Sequence, residues 1–169
     1  YGLYRKSGDK LIPIGKDRNL RGYLKFYKAD DGLLVGASRG VFRRDGDRLI
    51  PISKDQKTGM ISEFYRSKDG PLVNAQHGLY RRAGDWLIPV GWNQRTGSIR
   101  ILYKAEDGLL VGAMYGLYRR DGERLTPIGR RQKTGEIKMF YKARNGLLVG
   151  AENGLFRLNS KLISNCSDR

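Results

Sequence analysis

Gly2, Gly40, Gly78, Gly116 and Gly154 stand 38 residues apart, and each opens the same string of an apolar residue, an aromatic and a base. The strings are Leu3-Tyr4-Arg5, Val41-Phe42-Arg43, Leu79-Tyr80-Arg81, Leu117-Tyr118-Arg119 and Leu155-Phe156-Arg157. A fixed period of this length means one supersecondary unit made several times over, each copy burying its apolar face against its neighbours. The same spacing governs Pro13, Pro51, Pro89 and Pro127, then Tyr27, Tyr65, Tyr103 and Tyr141, then Leu34-Val35, Leu72-Val73, Leu110-Val111 and Leu148-Val149. The chain therefore reads as four full copies, 2–39, 40–77, 78–115 and 116–153, with a partial fifth at 154–163 and a polar tail at 164–169.

Helical repeats of similar period need two amphipathic helices per copy. Here Gly or Pro interrupts nearly every stretch, and the runs between favour Ile, Val, Phe and Tyr, which suit short strands. The first complete unit predicts strand A over 23–28, B over 33–37, C over 40–44 and D over 48–52. Asp31-Gly32 and Asp45-Gly46 are the kind of dipeptide that closes a tight hairpin. Pro51 and its equivalents fall in strand D, and proline cannot donate to a ladder, so D is expected at the outer edge. Four-stranded antiparallel sheets at this period are the blades of a β-propeller, and the fold class expected is all-β. In such a meander the A–B and C–D turns leave one end of each sheet, and the B–C turns and D-to-A crossovers the other.

The stretch Phe26-Tyr27-Lys28-Ala29-Asp30-Asp31-Gly32-Leu33-Leu34-Val35-Gly36-Ala37-Ser38-Arg39-Gly40-Val41-Phe42-Arg43 resembles the two-component regulator propeller repeat, and similar stretches centre on Asp69-Gly70, Asp107-Gly108 and Asn145-Gly146. The family commonly has Trp where this chain has Leu34 and its equivalents, and Thr where it has Ala37 and its equivalents. The resemblance implies a bacterial sensor domain, periplasmic or extracellular, that takes glycan-like ligands and reports to a downstream kinase.

Tyr1 aligns with Tyr115, so the sequence opens inside a repeat, just before strand C. Four A–B hairpins and five C–D hairpins do not make a whole number of blades. The expectation is that a further segment or another chain completes the ring, with self-association where an apolar sheet face is left open; otherwise one C–D pair competes with another.

Function has to be sought where the copies differ. The A–B and C–D turns are near copies of one another, whereas the B–C turns read Ser38-Arg39, Gln76-His77, Met114-Tyr115 and Glu152-Asn153, and the crossovers open on Lys16, Lys54, Trp92 and Arg130. Rigid sheets that carry variable loops make a recognition rim. Trp92 and Tyr115 are the candidate stacking residues for a sugar ring or nucleobase, with Gln94, Arg39 and His77 in polar support. Trp86 replaces Lys10, Arg48 and Arg124 of the other copies and is expected to pack. The leading expectation is a module that recognises an oligosaccharide or other small solute.

The alternative rests on charge. Lys and Arg number 33 against 17 Asp and Glu, a net +16, and a field of this size draws polyanions such as nucleic acid, acidic polysaccharide or anionic lipid. Arg44, Arg82 and Arg120, the second bases of strand C, are the candidate contacts in that case, or contacts to a protein partner. Neighbouring bases on a strand point to opposite faces, so one of each pair is expected between blades, facing turn aspartates.

No catalytic residue is assigned and the chain is read as a non-enzyme: its acidic residues are mostly in hairpin turns that account for them, as at Asp31, Asp45, Asp69, Asp107 and Asp121, and no nucleophile elbow or phosphate loop occurs. A single Cys and a single His leave no disulfide framework and no zinc ligand set, so no metal or cofactor is assigned. No apolar run reaches the ~18 residues of a transmembrane helix.

Overall fold

The computed structural model describes residues 2–16, 20, 22–53, 58–129 and 133–158. They form seventeen strands and no helix among the described residues. β1 (Leu3–Ser7) and β2 (Lys10–Ile14) make a two-stranded sheet; β3 (Lys25–Ala29), β4 (Gly32–Ala37), β5 (Gly40–Asp45) and β6 (Arg48–Ile52) make a four-stranded one. The next two sheets also have four strands each: β7 (Ile61–Tyr65), β8 (Leu72–Ala75), β9 (Gly78–Ala83) and β10 (Trp86–Val90), then β11 (Ile99–Ala105), β12 (Gly108–Ala113), β13 (Gly116–Asp121) and β14 (Arg124–Ile128). β15 (Ile137–Ala143), β16 (Gly146–Ala151) and β17 (Gly154–Leu158) form a three-stranded sheet. Each four-stranded sheet is an antiparallel meander in chain order, the blade expected from the period. The last D strand anticipated from the repeat, and the polar tail, lie outside the described residues.

The register corrects one detail of the turns. Ala29 pairs with Gly32, so the A–B loop is Asp30-Asp31 and the glycine is the first residue of β4, at φ 127°. In the C–D hairpin Asp45 pairs with Arg48 and the loop is Gly46-Asp47, with Gly46 at φ 57°. Both glycines hold backbone conformations that a side chain would strain. Strand D is an edge strand in each four-stranded sheet, with Pro51, Pro89 and Pro127 upon it.

The chain divides into two compact units, Tyr1–Val90 and Gly91–Arg169. In the first, Ile14 and Leu20 pack with Val35, Phe42 and Leu49, while Leu34, Val41 and Ile52 pack with Ile61, Val73 and Leu87. Neighbours Leu34 and Val35 thus go to different cores, so the B strand is covered on both faces and loses the alternation of a half-solvated strand. Sheets approach closely at Gly36, where an added Cβ would lie 2.7 Å from Ile61 Cγ2. In the second unit Leu110, Leu117 and Ile128 pack against Ile137, Val149 and Phe156.

Burial departs from the repeat at several positions, and Leu11 is 69% exposed although its equivalents Leu49, Leu87 and Leu125 are buried. Leu155 is 69% exposed on the three-stranded sheet, although its equivalents Leu79 and Leu117 are buried. Trp86, expected to pack, is exposed at the start of β10.

Candidate functional site

The B–C turns are two-residue loops, as Ala37, Ala75, Ala113 and Ala151 pair with the glycines that open the next strands. Tyr115 therefore projects from one end of the β11–β14 sheet. Its N–H donates to the Thr96 carbonyl at 3.0 Å and the Met114 N–H to Ser98 at 3.0 Å, which ties the turn to the incoming crossover. The Tyr115 ring lies over Gly97: a Cβ there would come within 3.2 Å of Cε2.

The crossovers run differently from expectation. Gly91 N–H donates to the carbonyl of Glu123 at 2.7 Å, which puts the start of the crossover beside the C–D turn of the β11–β14 sheet. The chain then passes along the outer edge of β14. There Gln94 acts as a substitute strand: its Nε2 donates to the Leu125 carbonyl at 2.6 Å and its Oε1 accepts from the Leu125 N–H at 2.8 Å. An open sheet edge invites pairing with other chains, and this amide covers it. Gln94→Ala is expected to cost about 1–2 kcal/mol, since two hydrogen bonds to the backbone are lost and water replaces part of them. Denaturant melting checks this, together with faster hydrogen exchange at the Leu125 amide.

This path separates the two aromatics. Trp92 adjoins the C–D end of the sheet, Tyr115 stands at the B–C end, and the six residues of β13 between them span about 17 Å. Both are exposed, Trp92 by 73% and Tyr115 by 65%, but they do not share a platform. The adjacency expected of them assumed that the crossover stays at one end of the sheet.

A cleft of about 520 Å³ opens at the B–C end, and Tyr115, Gln94, Arg95, Tyr118, Pro127 and Lys133 are among the residues that line it. Tyr118 supplies a buried wall and its hydroxyl donates to the Arg95 carbonyl at 3.1 Å. Trp92 is not part of the lining. Arg39 and His77 are exposed on the B–C turns of the β3–β6 and β7–β10 sheets, in the other unit, and the His77 N–H donates to Thr58 at 3.1 Å.

Of the candidate polyanion contacts, Arg82 is withdrawn. It is buried, its Nη1 donates to Asp31 Oδ1 at 2.7 Å, and its Nη2 donates to the other carboxylate oxygen. Arg44 is half-buried and its Nε donates to the Gly46 carbonyl at 2.8 Å; Arg120 is half-buried too. The first bases of strand C are matched as well: Arg5 with Asp47 at 2.7 Å, Arg43 with Asp85 at 3.3 Å and Arg119 with Asp107 at 2.8 Å. A large net charge does not by itself make free cations.

Arg95 and Lys133 escaped the sequence reading. Their signal is a motif in the crossovers, Gln56-Lys57-Thr58-Gly59, Gln94-Arg95-Thr96-Gly97 and Gln132-Lys133-Thr134-Gly135, which places a base at one repeat position. Loop divergence drew attention to the variable residues and away from this constant one. Among the described residues, no group of three or more His, Cys, Asp or Glu stands close enough to hold a metal.

Neither a family model nor a curated protein matches the chain. Its fold is similar to that of the computationally designed Ika4 protein, with a TM-score of 0.50 at 13% identity over 83% of this chain and 96% of that one. The designed Ika8 protein is also similar, with a TM-score of 0.46 at 15% identity over 78% of this chain and 44% of that one. At 13% identity the likeness to Ika4 speaks of fold alone.

Proposed function

We propose that this chain is a non-enzymatic ligand-binding module of propeller-type blades that takes an oligosaccharide in the cleft at the Tyr115 end of the β11–β14 sheet. The observation that carries the reading is the cleft itself, about 520 Å³ with an exposed tyrosine at its margin. Backbone bonds from Met114 and Tyr115 to the crossover hold the turn before any ligand arrives, so little backbone freedom is lost on binding. An aromatic face beside hydrogen-bonding groups suits a sugar ring, which is apolar on its C–H face and polar at its rim. The resemblance of the repeat to the two-component regulator propeller supports a sensing role for such a site.

Calorimetric titration with a panel of oligosaccharides tests the proposal. Tyr115→Ala is expected to weaken the best ligand about tenfold, the loss of one stacking contact. Trp92→Ala is expected to leave affinity unchanged. Binding that survives Tyr115→Ala, or that depends on Trp92, overturns the assignment of the cleft.

A further inference from the structure

We infer that the cleft selects an acidic oligosaccharide, with Arg95 and Lys133 as the two residues that read its negative group; the inference rests on the saccharide reading above. These bases occupy the same repeat position in consecutive crossovers, 38 residues apart. The β11–β14 sheet lies between those crossovers, so its B–C end receives both, and both line the cleft. No Asp or Glu is among the lining residues. Glu152, which lies over Gly135 at the margin, turns its Oε2 to the Glu136 N–H at 3.3 Å.

Their contrast with the strand arginines gives the cleft its chemical character. Arg5, Arg43, Arg82 and Arg119 each face a carboxylate of the same chain. Arg95 and Lys133 are exposed and take no ion pair among the described residues. Their backbones are nevertheless fixed: the Arg95 carbonyl accepts from the Tyr118 hydroxyl at 3.1 Å, and the Lys133 carbonyl accepts from Asn153 Nδ2 at 2.7 Å. Two cations on anchored loops, beside an aromatic face and without a competing acid in the lining, suit a sugar that carries a carboxylate or sulfate. An arginine adds a bidentate fork for a planar carboxylate. A cleft with one exposed aromatic, Tyr115, suits a short saccharide better than a nucleic acid, whose binding calls for a basic track with successive stacking residues.

The experiment titrates a tetragalacturonate and a neutral tetragalactoside against the unmodified chain, Tyr115→Ala, and the double variant Arg95→Gln/Lys133→Gln, at low and moderate salt. Expected are at least tenfold tighter binding of the acidic oligomer, loss of that preference in the double variant with the acidic ligand weakened far more than the neutral one, and a salt dependence confined to the acidic ligand. Equal affinity for the two oligomers, or a preference that survives the double variant, overturns the inference. If Tyr115→Ala still weakens both ligands in that case, the saccharide reading stands and only the charge selection falls. If Tyr115→Ala changes neither, the saccharide reading falls with it. A single-stranded oligonucleotide that binds more tightly than the uronate and depends on the same two bases assigns the cleft to nucleic acid and overturns both. Both substituted residues are exposed, and circular dichroism confirms that the variants keep their strands.

Discussion

Leu79→Ala is expected to destabilise the chain by about 2–5 kcal/mol, and Leu155→Ala by less than about 0.5 kcal/mol, although the two leucines are repeat equivalents. Leu79 is 1% exposed and Leu155 is 69% exposed. The first truncation removes transfer energy and leaves a cavity that a sheet packed at crystal-like density fills poorly. The second removes a side chain that already faces water. In thermal melting, the buried change is expected to lower the transition by about 8 °C or more in the unit that contains it, as each kcal/mol moves a domain of this size by about 4–8 °C. Near-equal effects would mean that the terminal sheet face is covered in solution. Because repeat arrays distribute stability over neighbouring interfaces, the loss is expected to spread to the β3–β6 sheet of the same unit.

Asp31→Ala is expected to cost about 2–3 kcal/mol. Removal of one partner of a wholly buried pair costs ~3–5 kcal/mol, and the half-exposed position of Asp31 reduces that figure. The penalty arises at Arg82, whose guanidinium stays buried with only Asp85 at 4.0 Å to face it, and whose Nε already has no hydrogen-bond partner among the described residues. Replacement of both residues by apolar ones, Asp31→Leu with Arg82→Met, is expected to recover much of the loss, as buried pairs seldom outperform a well-packed apolar substitute. A double-mutant cycle by denaturant melting measures this, and a double variant no more stable than Asp31→Ala would sink the account.

The same pair sets an acid limit. The Arg82 hydrogen bonds hold the Asp31 carboxyl below its usual 3.8, against the opposing effect of burial, with the Arg82 charge adding to the lowering. A carboxyl whose value is lower folded than unfolded contributes its full stability above the unfolded value. That contribution is expected to be constant near neutrality, to begin to fall as the pH drops past 3.8, and to vanish below the folded value. Asp31→Ala is therefore expected to flatten the acid limb of the stability profile.

The period of 38 residues determined the blade, the strand order within it and the edge place of strand D, because glycine, proline and apolar spacing act locally and repeat. Strand D over 48–52 and the B–C loops followed from turn chemistry alone. The sequence by itself could not separate Leu79 from Leu155, since identical residues at one repeat position differ only in how far they are buried. Nor could it place Trp92 and Tyr115 at opposite ends of one sheet, because that depends on the path of the crossover along β14, which hydrogen bonds at Gly91 and Gln94 set over more than thirty residues of separation. The charge count was legible as +16, but tertiary pairing decided which cations are spent on carboxylates, as Arg82 is, and which, like Arg95 and Lys133, face a cleft with none in its lining. Local propensity reports on a residue and its near neighbours; burial, ion pairing and the meeting of loops are properties of contacts between distant parts of the chain.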